Sequence, residues 1–264
     1  MLFVKYIDII VVKNEIMFIA KYLKKISNST FAFSLAEVLL ALTILGVVFA
    51  MLIPTLVTQY NKTAYAVALK RSYSIINQVL LRVASDLATI NNLEATGIFY
   101  GSDTLLGDNL VRYLKISKNC GTSIGCFAPE IGPNFNSKYK VPTSTITGSH
   151  YSFITMDNMS YIVESTGAGC ISSFKGASST GHSNHMSAIC GRLWVDVNGL
   201  KEPNNYGRDI FLFYITNGVT PGLYPAGGED DALKQWTNNT CRSVEIDGYA
   251  CAGRVIGESW DITY

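Results

Sequence analysis

Between Phe33 and Val57 the chain reads FSLAEVLLALTILGVVFAMLIPTLV, 25 residues that are apolar at almost every position and charged only at Glu37. A helix rises about 1.5 Å per residue and a bilayer core takes about 20 residues, so this run is long enough to span one. Further on the pattern becomes one-sided. Tyr65, Leu69, Ile76, Leu80, Val83, Leu87 and Ile90 recur at three-, four- and seven-residue steps, while Lys70, Arg71, Arg82 and Asp86 fall on other faces. No Gly or Pro interrupts residues 55–96, and Gly97 is the first stop signal. The pattern predicts one helix from Phe33 to about Asn92. It is apolar all round at first and amphipathic later, and its stripe packs against a globular head.

That head, from residue 97 to 264, is predicted to be β-rich. YSFITM (151–156) and MSYIVE (159–164) flank Asp157-Asn158, a pair suited to a tight turn with positive φ. RLWVDV (192–197) ends at Asn198-Gly199, and DIFLFYIT (209–216) ends at Asn217-Gly218. A four-stranded antiparallel sheet is expected, one face laid on the amphipathic helix half. Residues 167–191 and 218–240 are rich in Gly, Ser and Asn and read as loops. The fold class is α+β, divided as 1–32, 33–57, 58–96 and 97–264.

Charge changes this picture little. There are 21 Lys+Arg against 20 Asp+Glu, so no basic field points to nucleic acid. Cysteine usage says more: Cys120, Cys126, Cys170, Cys190, Cys241 and Cys251 all lie in the head, without CxxC spacing. An oxidised, extracytoplasmic head is expected, against the alternative of six unrelated buried thiols. Six cysteines allow fifteen pairings. Closure entropy favours neighbours in sequence: Cys120–Cys126, Cys170–Cys190 and Cys241–Cys251.

Ahead of the apolar run, residues 1–16 carry Lys5, Asp8, Lys13 and Glu15 and are too charged to span a bilayer. Residues 17–32 hold Lys21, Lys24 and Lys25 and no acid, like the basic region of an export leader, with Met17 an alternative start. Lysine and arginine counts leave orientation open, because Lys62, Lys70 and Arg71 follow the run.

The junction of Ala32 with Phe33-Ser34-Leu35-Ala36-Glu37 resembles the prepilin class of type IV pilins and type II secretion pseudopilins. Phe33, Leu35 and Glu37 match the first, third and fifth positions of the mature family sequence, Gly46 the fourteenth and Pro54 the twenty-second. Ala32 replaces the usual Gly, which implies slower cleavage, and Ser34 replaces Thr. The likeness covers residues 21–92 and says little about the head.

The resemblance implies a structural subunit without catalysis. It implies a single-pass bacterial inner-membrane protein with a periplasmic or extracellular head. A prepilin peptidase would cut between Ala32 and Phe33 and methylate the new amine. An inner-membrane assembly platform would build copies, or other pilin-like subunits, into a filament. It leaves open whether that filament is a secretion pseudopilus or a pilus. Glu37 would pair with the N-terminal amine of a neighbouring subunit. A lone carboxylate in a membrane helix costs roughly 2.5–3.5 kcal/mol, which makes a partner expected.

Two further patterns carry weaker chemistry. Asp196, Asn198, Asn204 and Asp209 form an oxygen-rich stretch suited to calcium, and some major pseudopilins hold calcium in a head loop. Gly207 stands where an EF-hand has its Glu, and a plain Asn-Gly turn explains the same residues. His182 and His185 lie near Cys170 and Cys190, as a zinc site would require, in a stretch that otherwise reads as an open loop. Trp236 and Trp260 are expected to pack. GxSxG and P-loop motifs are absent. The competing function is a bitopic envelope protein whose head binds a ligand or catalyses a reaction.

Overall fold

In a computed structural model of the chain, residues 34–87, 89, 91–135, 137–144, 150–174, 177–178, 185–229, 231, 241 and 248–264 are described. The chain divides into two units at Val57/Thr58. In the first, every residue from Ser34 to Val57 is exposed and, from Leu35, helical. These residues open helix α1 (Leu35–Asp86), which runs through Pro54 unbroken. Thr43 and Thr55 turn their hydroxyls back to the carbonyls of Leu40 and Leu52, both at 2.8 Å, so the few polar atoms of the stretch are satisfied within the helix. Among the described residues this is the one helix long and apolar enough to cross a membrane.

The second unit begins with the later part of α1. Ala66, Leu69, Ile76, Val79, Leu80, Val83 and Ala84 are buried along one stripe, with Ser72 among them. Leu87, expected on that stripe, is instead 46% exposed, and Ile90 lies outside the described residues. The helix also ends at Asp86, short of Asn92. The Thr89 N–H and hydroxyl both turn back to Ala84 O, at 2.8 and 3.1 Å, and Asn91 takes φ +64°, the left-handed region Asn tolerates. Gly97 closes only the short 3-10 turn Glu94–Thr96 that follows.

Behind the stripe stands a six-stranded antiparallel sheet, two strands wider than predicted. Its order is β1 (Ile116–Gly121), β4 (Tyr151–Thr155), β5 (Ser160–Ser165), β8 (Ile189–Asp196), β9 (Ile210–Thr216) and β10 (Gly222–Pro225). Short pairs β2 (Glu130–Ile131) with β3 (Val141–Pro142), and β6 (Ser173–Phe174) with β7 (Ala177–Ser178), lie apart. The stretches 167–191 and 218–240 are therefore not wholly loop: they hold β6, β7, the start of β8, and β10. The expected turn at Asp157-Asn158 joins β4 to β5, with Asn158 at φ +65°.

The central strands are buried on both faces. Phe153, Tyr161, Val163, Leu193, Val195, Phe211 and Phe213 face α1, together with α2 (Asp103–Val111) and α3 (Cys251–Gly257). Ile162, Trp194, Leu212 and Tyr214 face a second cluster, covered by Phe127, Ala128, Ile131, Met186, Tyr206 and Ala226 from connecting segments. Polar contacts fix the helix on the sheet. Tyr161 donates to Ser72 Oγ at 2.9 Å, and the Leu223 N–H of edge strand β10 donates to Asn77 Oδ1 at 2.8 Å. Disulfides join Cys120–Cys126, Cys170–Cys190 and Cys241–Cys251, the neighbour pairs that closure entropy favours.

Candidate functional site

Two constellations hold the candidate residues, one in each unit. At the start of α1, Ser34 and Glu37 cap the helix reciprocally. Glu37 N–H donates to Ser34 Oγ at 3.2 Å, while the Ser34 N–H and hydroxyl reach Glu37 Oε2 at 3.0 and 3.1 Å. This is a capping box, readable in the sequence as Ser-x-x-Glu before an apolar run, and it gives Glu37 a local role that the family likeness does not mention. Ala32 and Phe33, the residues of the cleavage junction, lie outside the described residues. Gly46 is exposed, and a methyl group added there would meet nothing within 4 Å.

In the head, the chain leaves β8 at Asp196, turns at Asn198-Gly199, and returns to β9 after Asp209. Gly199 sits at φ +75°, and a Cβ there would stand 2.3 Å from Asn158 O, so only glycine fits this turn. The Glu202–Pro203 bond in the loop is cis. Asp196 and Asp209 are both fully buried, and Asn204 is 5% exposed. The four residues singled out from sequence thus come together.

Their bonding is asymmetric. Asp209 organises the loop: it accepts the backbone N–H groups of Asn204 and Asn205 at 2.8 and 2.7 Å and the Asn198 side-chain amide at 3.1 Å. Asp196 Oδ1 accepts the Asn198 N–H at 3.2 Å. Asp196 Oδ2 faces the Asn204 side-chain oxygen, which also faces Lys201 O. Turning that amide over would put its nitrogen 3.0 Å from each. Asn198 Oδ1 is buried and accepts no hydrogen bond among the described residues. Nearby, Lys140 donates to Asn205 Oδ1 at 2.9 Å and to Pro203 O.

Burial raises the Asp196 carboxyl well above the usual range, and the nearby Asp209 charge raises it further. Burial also raises Asp209, against the lowering effect of its backbone donors. Asp209 spends both oxygens on Asn198, Asn204 and Asn205, which leaves the Asp196 carboxylate, the Asn204 amide and the Lys201 carbonyl as the groups gathered there for a hard cation; with that amide turned over, its nitrogen bonds Asp196 and Lys201 O and the loop is satisfied without an ion. With the Asn204 oxygen turned toward Asp196, these oxygens are of the type calcium takes. Asp196, Asn204 and the Lys201 carbonyl would hold it, with Asn198 as a further oxygen, and the ion would neutralise charge that the fold buries. The contributions of the Lys201 carbonyl and Lys140 have no sequence signal, because backbone oxygens are set by the turn and Lys140 is remote in sequence.

The zinc pattern does not assemble. Cys170 and Cys190 are bonded to each other and offer no thiolate, His185 stacks on Tyr224 with ring centroids 5.8 Å apart, and His182 lies outside the described residues. Among the described residues no three His, Cys, Asp or Glu side chains gather as metal ligands. Trp260 packs against Tyr73, centroids 5.4 Å apart, and Trp236 lies outside the described residues. Comparison with protein-family models, curated proteins and solved structures finds no match to this chain.

Proposed function

We propose that this chain is a pilin-like subunit of a type IV pilus or type II secretion filament. The segment ending at Val57 anchors it in the bacterial inner membrane and packs against neighbouring subunits, while the head stands outside the cytoplasm. The observation that carries the reading is the contrast within α1: a wholly exposed apolar stretch with one carboxylate near its start, then a stripe buried under a sheet. A soluble core helix buries its apolar residues, whereas a helix meant for lipid and for other helices leaves them free. Three disulfides support an oxidising compartment for the head. Glu37 adds the charge that a neighbour's N-terminal amine would neutralise in a low dielectric.

In this reading a prepilin peptidase and an assembly platform are partners, and the loop from Asp196 to Asp209 holds one calcium ion that keeps the head rigid. The test of processing is mass spectrometry of the N-terminus of protein from wild-type membranes. The expected mature chain begins at Phe33 with a methylated amine, and Ala32→Glu blocks its formation. An unprocessed chain where the peptidase is active would instead favour a bitopic envelope protein.

A further inference from the structure

A cavity of about 370 Å³ opens in the head between the end of β5 and the start of α2. Ser102, Asp103 and Thr104 line it from the helix start, Glu164 from the strand, Thr122 from the loop after β1, and Phe174 from β6. Its walls are tied to one another. The Gly101 N–H donates to Gly167 O at 2.9 Å, the Ser165 N–H to Asp103 Oδ1 at 2.7 Å, and the Ser165 hydroxyl to Phe99 O at 2.9 Å. The Cys120–Cys126 disulfide closes the loop that carries Thr122. The Phe174 ring lies 5.5 Å from Cζ of Arg192, which also sits 4.5 Å from the Trp194 ring.

The volume falls in the range of small-ligand sites, roughly 300–1,000 Å³. The polar groups decide which ligand suits it. Glu164 Oε2 accepts Nε and Nη2 of Arg192 at 2.9 and 2.6 Å, and both residues are buried. An anion would meet two acidic groups here, and a metal ion would have to displace the donors that Asp103 and Glu164 already hold. The hydroxyls of Ser102, Thr104 and Thr122, by contrast, are exposed and make no hydrogen bond among the described residues. Each hydroxyl both donates and accepts, and a carboxylate offers about four lone-pair positions, so the acids can take hydroxyl donors beside their present ones. Carboxylate acceptors, hydroxyls and one aromatic ring suit a neutral ligand with hydroxyls around its edge and C–H groups on its face, which is the chemistry of a sugar ring.

We propose that this cavity binds a neutral sugar unit of an oligosaccharide. Asp103 and Glu164 accept from its hydroxyls, Ser102, Thr104 and Thr122 bond the others, and Phe174 packs against its C–H face. The site goes beyond the filament reading and does not depend on it, since every residue in it belongs to the head unit.

The experiment presents the full chain, labelled and held in a detergent without a sugar headgroup, to an array of neutral and uronic-acid oligosaccharides. The neutral glycan that binds best is then titrated to give a Kd. Wild type is expected to bind neutral glycans and to leave the uronic-acid ones. Phe174→Ala should raise Kd about tenfold, and Phe174→Tyr, which keeps the ring, should hold it within about twofold. Thr104→Val with Thr122→Val removes two hydroxyls at exposed positions, keeps the side-chain shape, and should also raise Kd about tenfold. That double variant decides the matter where Phe174→Ala loosens the head in thermal unfolding. Binding to no neutral glycan overturns the proposal. So does binding confined to uronic-acid glycans, or a Kd that the double threonine variant leaves unchanged.

Discussion

Residues Leu35–Val57 and Ala66–Ala84 belong to one helix and have one backbone geometry, yet they treat apolar side chains in opposite ways. In the first, Leu35 is 79% and Met51 71% exposed; in the second, Leu69, Ile76 and Leu80 are fully buried. What differs is how polarity is distributed around the axis. The first stretch has no polar face, so no orientation hides it in water, and lipid or another apolar helix must cover it. The second sets Lys70, Arg71 and Arg82 away from its stripe and buries that stripe under the sheet. Helix formation is thus common to both, and the environment is specified by the pattern of polar positions.

The strongest way to break this comparison is to exchange the two kinds of damage. Leu80→Ala removes a side chain with no solvent contact and is expected to destabilise the head by about 3–5 kcal/mol in denaturant unfolding, with membrane extraction unchanged. Ile44→Arg should do the reverse. It costs about 2.5–3.5 kcal/mol of insertion, seen as release by alkaline carbonate, and leaves head unfolding where it was. A head that tolerates Leu80→Ala would mean that the stripe does not carry the packing.

Much of this was legible because it is local. Leu69, Ile76, Leu80 and Val83 declare their face by spacing, and Asp157-Asn158 and Asn198-Gly199 declare their turns by residue type. The six apolar residues from Ile210 to Ile215 also announce burial on both faces, a signal stronger than the one-faced sheet expected from it. Strand β10 was not legible. Gly222-Leu223-Tyr224-Pro225 is a weak strand former, extended because β9 pairs with it and Asn77 takes an edge N–H from 146 residues away. Strand β1 is equally quiet, having no fully buried residue and pairing to β4 with two register shifts. At the acidic loop, residue types pointed to Asp196 and Asp209. The direction of each oxygen depends on a backbone path that no pattern encodes.

The acidic loop sharpens the comparison from the head's side, since it buries charge where α1 exposes apolar surface. Both carboxylates are raised, so their ionised form is less favoured folded than unfolded. Without a cation, the head should therefore lose stability as pH rises from the ordinary carboxylate range, near 4, through the raised folded values. Calcium should reverse this at neutral pH, adding about 2.7 kcal/mol at a hundredfold excess over its Kd, and should do nothing in acid, where protons compete. Thermal unfolding with calcium against chelator, at both pH values, checks this. Asp196→Asn should abolish the calcium response and raise cation-free stability at neutral pH. A calcium response that survives Asp196→Asn would remove the ion from this loop.

The smallest energy concerns Glu37, where the two regions' rules meet: a charge in the apolar half, held by a local cap. Two roles are superimposed there. As the third helical residue of the box it satisfies the Ser34 N–H, which is worth about 1 kcal/mol of local helix stability. As a carboxylate it would pair with a neighbouring subunit's amine. Glu37→Gln separates them, because glutamine can still close the box but carries no charge. Glu37→Val loses both. Both variants are expected to insert, since each removes a charge from the apolar run. Only Glu37→Val should let the amides of Leu35 to Leu39 exchange faster with solvent. In sheared-filament or secretion assays with the variant as sole copy, both should fail to incorporate. If Glu37→Gln assembles as well as wild type while Glu37→Val does not, the cap is the whole role of Glu37 and the intersubunit charge pair is gone.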